Sequence, residues 1–453
     1  MIYSELIFLL VLFPIITILS FFDRSTEYKN FILILGSIAF FSWGRPLAVC
    51  LIFLSVIFDW LFGKMAEKKG GKLAVALSFL MNAGLFCVFA HNSLFDKVEA
   101  LSFSKQVLPI GMAFYTLRGF SYVYDVYKGK IKSEKNFFCL LTYMVSLHFM
   151  VVGPMVHYGD VEPQIRRREI TSGKLNDGLV KIIIGLGKAV ILADAFTQIA
   201  NAGIGSSEIT TLGSWLGMLA FFGKYYFLFT GLCDMSYGLG LVNGFIYPEN
   251  YTDIEANGLF TGMIKSFNTT VTEFFAELFG LKNKKGFSAF AFTIFCAIVL
   301  SFWYEAKLNF IIVGIFAGIL VALEKAFLGK ALAKLPALLK HVYQILTAMI
   351  IFGGVYFTSF SGYKNWLGAL VGINTQYTLS MAVKNAVLNN ITLIAISFCI
   401  ICPFVKNKIL EVSDNISQKS LKCYGAVRIT KTILTALVFA VSVITLAAKV
   451  SGV

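Results

Sequence analysis

Charged residues are scarce: Asp, Glu, Lys and Arg make up 14% of the 453 residues, against about 25% in an average soluble protein. A deficit spread over the whole length excludes a disordered chain and argues against a soluble globular enzyme. Proline is scarce too, with 8 in the chain, so helix breakers seldom interrupt the apolar stretches. Histidine occurs four times, and nothing at metal or triad spacing accompanies it. No P-loop, Gly-x-Ser-x-Gly or zinc signature is present. The eight cysteines are scattered, most of them in apolar runs. Cys399 and Cys402 have CxxC spacing but no neighbouring His or acid. They read as buried inert thiols, so neither a disulfide framework nor a metal site is expected.

What the chain has is apolar surface: 57% hydrophobic residues, 45 of them Phe, and a mean hydropathy of +0.77. Long apolar runs separated by short charged clusters predict an all-α polytopic membrane protein, a single integral-membrane domain over residues 1–453. At roughly 20 residues per span, about eleven to thirteen membrane segments fit. The formal charge of +14 reads as basic loop ends under the positive-inside rule, with lipid and not nucleic acid as the partner. The run Ile2–Phe22 has no basic leader and no small-residue cleavage site, so it reads as a first span. Further spans are expected at 30–43, 46–63, 73–91 and 109–126, then near 178–200, 210–241, 287–303, 307–328, 342–361, 388–405 and 430–449. Basic clusters at 64–72 and 128–135 place both loops in the cytoplasm and the N-terminus outside.

One ordinary span at 136–153 would put Arg166, Arg167 and Arg168 outside. A re-entrant segment broken at Gly153-Pro154 resolves this conflict; broken backbone at membrane depth must be packed in protein or line a cavity. The stretch 262–280 is amphipathic and reads as an interfacial or re-entrant helix. Pairs such as Gly213/Gly217 and Gly314/Gly318 mark helix packing. Intramembrane ionisable groups are candidates for function because each is costly unless paired. They are Asp59, Arg118, Asp125, Lys181, Lys188, Asp194, Asp234, Glu273, Glu277 and Glu305. Asp59, Lys181 and Lys188 read as structural pairs or snorkelling ends. Asp234 stands between a structural and a functional role. Of the histidines, His148 and His157 flank the break, and either a satisfied structural imidazole or a site residue fits them.

The breaks have an order. Pro109-Ile110-Gly111 leads to Tyr122-Val123-Tyr124-Asp125, then to Val152-Gly153-Pro154-Met155-Val156-His157. Gly185-Leu186-Gly187-Lys188 and Leu192-Ala193-Asp194 follow, then Phe229-Thr230-Gly231-Leu232-Cys233-Asp234-Met235-Ser236 and Pro248-Glu249-Asn250-Tyr251. This series resembles the membrane-bound O-acyltransferase (MBOAT) family, in the bacterial polysaccharide branch that includes alginate O-acetyltransferases and the D-alanyl-teichoic-acid transfer protein. The resemblance implies a helical shell with re-entrant segments around a thinned central cavity. It implies acyl transfer from a cytoplasmic donor, acyl-CoA or an acyl carrier protein, to a cell-surface glycan at the plasma membrane. A secreted or periplasmic acyltransferase partner is implied as well, with no bound cofactor. Asp125, Gly153, Pro154, Asp234 and Ser236 would belong to the substrate cavity.

The chain departs from the family at the chemical positions. The Trp-His-Gly of the family reads Trp303-Tyr304-Glu305, so Tyr304 stands at the base. The other family histidine is Asn268, the family Asp of Tyr-Phe-Asp-Phe-Ser-Gly is Leu228, and the Arg after Gly-Pro-Ile is His157. A later His-Gly pair reads Ala317-Gly318. A phenol with a pKa near 10 is a poor base at neutral pH, and losing a general base costs about 10²–10⁴ in rate. Glu305 and His157 are the candidate substitutes. Two functions remain open: an acyltransferase with a rearranged base, and a non-catalytic homologue serving as scaffold or acyl conduit in a polysaccharide-modification complex. Asp234, Asn268 and Tyr304 are expected to converge on one polar cavity.

Overall fold

The computed structural model describes all residues except 1–2, 23–24, 44–46, 69–70, 91–110, 207, 255–257, 282–283, 305–306, 376 and 452–453. The described residues form helices and no strand; one isolated antiparallel bridge joins Tyr251 and Phe267. Among them, seven helices are long and apolar enough to cross a membrane, or eight if the bent pair Met381–Asn389 and Ile391–Ile401 counts as one. The expected all-α membrane architecture is therefore present. Large apolar side chains face outward throughout, Leu80 at 66% and Ile444 at 67% exposure among them, as a bilayer solvent requires.

The chain divides into two compact units, residues 1–183 with 232–250, and residues 184–231 with 251–453. In the first, the expected early spans appear as Thr26–Ser42, Leu47–Ala66, Gly71–Ala90 and Met112–Tyr127. Ser25 caps the first of these, its hydroxyl accepting from the Tyr28 N–H at 3.3 Å. Asp59 is fully buried and accepts from Ser78 Oγ at 2.8 Å and Asn82 Nδ2 at 3.0 Å, tying two helices together. A third helix packs over this carboxylate through Gly119, where a Cβ would lie 2.0 Å from Asp59 Oδ2. Asp59 is thus the structural group expected of it.

In the second unit, Gly286–Tyr304 and Leu308–Leu323 form an antiparallel pair. Gly314 and Gly318 bring the second helix against Ser301, Ala297 and Ile294 of the first. Ala337–Tyr356 packs beside them. Trp366 is buried in a cluster with Ile199, Met218, Phe221 and Met349. The amphipathic stretch 262–280 resolves into Phe260–Ser266 and Thr269–Leu278, broken at Asn268. The last described helix is Leu421–Ser451, of 31 residues, about 46 Å long at 1.5 Å per residue.

The cytoplasmic assignment of 164–177 has a direct test. Arg167 is exposed, and a thiol placed there by Arg167→Cys should react with impermeant reagents only from the cytoplasmic side. Labelling from outside intact cells would overturn the re-entrant path.

Candidate functional site

The break at 146–157 belongs to the first unit. Asn136 caps the helix Phe137–Val145, accepting from the Phe138 N–H at 2.9 Å. Nine residues span only about 14 Å, under half of a hydrocarbon core of about 30 Å. The chain then makes a 3₁₀ turn at Leu147–Phe149 and returns in extended form to the helix Tyr158–Arg166. Gly153 lets the returning limb approach; a Cβ there would stand 2.4 Å from the His148 carbonyl oxygen and 2.5 Å from Phe149 Cα. Gly153 and Pro154 are both buried.

Backbone broken at membrane depth needs partners, and side chains supply them. The buried Arg118 donates to the carbonyls of Tyr143 at 2.7 Å and Met144 at 3.1 Å. Tyr143 donates to the Val156 carbonyl at 2.7 Å, joining the two limbs. Tyr3 donates to the Leu147 carbonyl, and Ser37 Oγ accepts from the Leu147 N–H at 3.0 Å. Ser236 donates to the His148 carbonyl, and Asn250 donates to the Val152 carbonyl at 3.1 Å. Ser236, expected in a substrate cavity, is therefore a strut of the re-entrant backbone. His148 is fully buried among Phe149, Phe245 and Tyr247, and among the described residues neither ring nitrogen has a hydrogen-bond partner. Nearby, Arg168 donates to the Asn243 carbonyl at 2.9 Å and to Asn30 Oδ1 at 2.5 Å, with its guanidinium over Phe245. Burial pushes Arg168 down to about 9, which leaves it cationic at neutral pH.

At the end of this segment the structure joins two of the expected site residues. His157 Nδ1 lies 2.5 Å from Asp125 Oδ2 and 3.3 Å from Ser121 Oγ, one helical turn away. Asp125 is buried, and Lys130 Nζ lies 3.4 Å from its other oxygen. A proton on Nδ1 shared with the carboxylate leaves Nε2 as the basic nitrogen, the tautomer used in base catalysis. Ser121 shares Nδ1 with the acid, so it is not placed as a nucleophile on the far side of the ring. Asp234, in the same unit, is buried and pairs with Lys181 at 3.3 Å; Lys181 also meets Glu249 at 2.9 Å. These contacts give Asp234 an ion-pair partner within the fold, and Lys181 the structural pairing expected of it.

The second unit holds Asn268, Tyr304 and a cavity. Asn268 is buried and left-handed, with φ 48°, between the two short helices. Asn is among the few side chains that accept this conformation readily. Glu324 fixes the helix leading to this turn. Its carboxylate accepts from the Phe260 N–H at 3.0 Å, the Thr261 N–H at 2.7 Å, Thr261 Oγ1 at 2.5 Å and the Tyr343 hydroxyl at 2.8 Å. Gln344 donates to the Leu259 carbonyl at 2.8 Å. Glu324→Gln turns an amide N–H₂ against these donors and should cost on the order of 2–4 kcal/mol. Thermal unfolding of the solubilised protein checks this, and an unchanged midpoint would contradict it.

Asn268 lines a cavity of about 540 Å³, within the usual range for ligand sites. Its walls are mainly aromatic and aliphatic, including Phe222, Phe267, Phe275 and Val313. Thr272, Thr293, Cys296, Ser301 and Lys325 are polar members of the wall, and among the described residues none in the wall carries an imidazole or a carboxylate. Tyr304 ends the helix that supplies Thr293, Cys296, Leu300 and Ser301, so its backbone lies one turn beyond the wall. Glu305 lies outside the described residues. Asp234 belongs to the first unit, Asn268 and Tyr304 to the second. No group of three His, Cys, Asp or Glu able to hold a metal occurs among the described residues.

Sequence reasoning missed Glu324, Gln344 and Lys325. Lys325 had a signal, a lysine near the end of the apolar run 308–332. Glu324 and Gln344 had none, because their partners lie 64 and 85 positions away.

Comparison with known proteins gives the same direction throughout. A family model described as MBOAT, membrane-bound O-acyltransferase family, matches residues 127–362, just over half of the chain. A probable alginate O-acetylase AlgI of Pseudomonas fluorescens is 26% identical over 332 residues, 72% of this chain and 66% of that protein. Its counterpart in Azotobacter vinelandii is 27% identical over 369 residues, 77% of this chain and 74% of that protein. A peptidoglycan O-acetyltransferase of Helicobacter pylori is 23% identical over 352 residues, 68% of this chain and 67% of that protein. The chain thus matches about two thirds to three quarters of these relatives' lengths.

Proposed function

We propose, from the premise that this chain belongs to the membrane-bound O-acyltransferase family, that it is a membrane O-acyltransferase acting on a cell-surface polysaccharide. The group moved is acetyl or another small acyl, from acyl-CoA or an acyl carrier protein. The observation that carries this reading is the apolar cavity with buried Asn268 in its wall. In the reaction an acceptor hydroxyl adds to the thioester carbonyl, the donor thiolate leaves, and the hydroxyl proton must go to a base. An apolar pocket favours the acyl group and keeps competing water out. The Asn268 side chain can orient a hydroxyl or a carbonyl but cannot take a proton. With Tyr304 and Asn268 at the two positions that match the family's histidines, transfer is slow, lower by about 10²–10⁴ than with an imidazole base.

One observation favours a second reading. Among the described residues the cavity wall holds no imidazole and no carboxylate, which suits an acyl conduit or scaffold that hands the group to a secreted or periplasmic acyltransferase. The test uses the purified full chain in lipid nanodiscs with acyl-labelled acetyl-CoA, or acyl carrier protein, and isolated surface glycan. Slow ester formation above the protein-free blank, reduced by Asn268→Ala, supports transfer by this chain. Ester formation only when a secreted acyltransferase is added supports the conduit. No ester under either condition contradicts both.

A further inference from the structure

Asp59 is the one acidic side chain of the apolar helix Leu47–Ala66, and it is fully buried. Among the described residues its partners are Ser78 Oγ at 2.8 Å and the Asn82 amide nitrogen at 3.0 and 3.2 Å, and no Lys, Arg or His pairs with it. The basic side chains of the three helices that meet here are engaged elsewhere. Lys64 lies over the Trp60 ring at 3.2 Å, Arg118 donates to the Tyr143 and Met144 carbonyls, and Lys72 is exposed. Two neutral groups hold the carboxylate in place without cancelling its charge. An intramembrane charge is costly unless something pairs with it, and a buried one left without a counter-ion is costlier still.

Three more oxygens at this point are buried and, among the described residues, have no hydrogen-bond partner: Ser55 Oγ, Asn82 Oδ1 and Tyr115 Oη, on side chains 1, 3 and 0% exposed. Ser55 stands one turn before Asp59 on the same helix face. Asn82 Oδ1 belongs to the amide whose nitrogen already bonds Asp59. Tyr115 stands one turn before Gly119, where a Cβ would lie 2.0 Å from Asp59 Oδ2, and is in electrostatic range of that carboxylate. Helical hydroxyls elsewhere in the chain turn back to the carbonyl four residues before, as those of Thr116, Thr142 and Thr230 do; Ser55 does not. A buried water would satisfy the neutral oxygens but leave the charge. Carboxylate, amide and hydroxyl oxygens are ligands for hard cations. A divalent ion would replace a buried negative charge by a buried positive one, whereas a monovalent ion leaves none. We propose that these helices bind one sodium ion on Asp59, with Asn82 Oδ1, Ser55 Oγ and Tyr115 Oη as its neutral ligands. The ion ties Leu47–Ala66, Gly71–Ala90 and Met112–Tyr127 together. This site rests on neither the acyl-transfer reading nor its cavity.

The experiment is equilibrium binding of radioactive sodium to the full chain in a mild nonionic detergent, with thermal unfolding in sodium chloride and in choline chloride of equal ionic strength. The expected result is saturable binding that levels off near one ion per chain. The unfolding midpoint should rise with sodium and not with choline, as a ligand of the folded state requires. Asp59→Asn keeps the shape and removes the charge, so it should abolish binding and make the midpoint independent of sodium. Ser55→Ala removes one ligand and no hydrogen bond of the fold. It should weaken sodium about tenfold, a usual cost of a lost contact at a metal site, and leave the midpoint in choline unchanged. If Asp59→Asn does not fold, Ser55→Ala decides. No saturable sodium binding by the native chain would overturn the proposal and assign Asp59 a proton instead. Sodium binding undiminished in either variant would overturn it as well.

Discussion

Replacing Arg118 with methionine should lower the stability of the folded chain by about 3–6 kcal/mol, the sum of two hydrogen bonds from a charged donor. The guanidinium closes the carbonyls of Tyr143 and Met144, in the last turn of the helix Phe137–Val145 before the re-entrant backbone leaves helical form. It also lies over the rings of Phe149 and Tyr143, at 5.2 and 5.5 Å. Arg118 is fully buried. The loss is a large share of the 5–15 kcal/mol that holds a typical protein folded. Arg118→Lys should keep the charge yet recover only part of the loss, because one ammonium does not span two carbonyls as a planar fork does. Fluorescence-detected thermal unfolding in detergent measures the series. Wild-type stability in Arg118→Met would show that the 146–157 backbone is held by something else.

The second large effect concerns the base. Tyr304→His alone should raise acyl transfer less than tenfold, because Asn268 still stands at the second family position and groups that act as a unit are not additive. The double variant Asn268→His, Tyr304→His should gain on the order of 10²–10⁴, the usual contribution of a general base. The backbone permits this change: His, like Asn, is enriched in the left-handed conformation that residue 268 adopts. Initial rates with labelled donor read the difference. A single-variant gain as large as the double, or no gain in either, would show that the proton leaves by another group. His157 is then the residue to change, since Asp125 at 2.5 Å already holds its ring.

Much of the fold was legible because the bilayer imposes a simple rule on sequence. Apolar runs at 46–63, 73–91 and 287–303 became Leu47–Ala66, Gly71–Ala90 and Gly286–Tyr304, each shifted by a few residues where caps and turns set the ends. The break at Gly153-Pro154 was legible because proline and charge bookkeeping both pointed to it. Its function was not: the partners of the broken backbone come from Tyr3, Ser37, Arg118, Ser236 and Asn250, which no local pattern connects. Asp234 stood between two readings on burial cost alone, and the Lys181 pair that gives it a structural partner lies 53 positions away. The cavity was illegible for the same reason. Its wall is assembled from stretches near 222–229, 263–281, 293–301, 310–325 and 351–355, of which all but the amphipathic 263–281 read alone as ordinary membrane helices.

The most direct test is the ester content of surface polysaccharide in cells from which this chain's gene has been deleted. Mild alkali releases the O-acyl groups, which are then measured against total sugar. The account predicts that deletion removes the ester and that the intact chain restores it. Ala317→Phe, which fills the cavity while leaving the protein in the membrane at normal amount, should not restore it. Unchanged ester in the deletion, or full restoration by Ala317→Phe, would contradict acyl handling in this cavity.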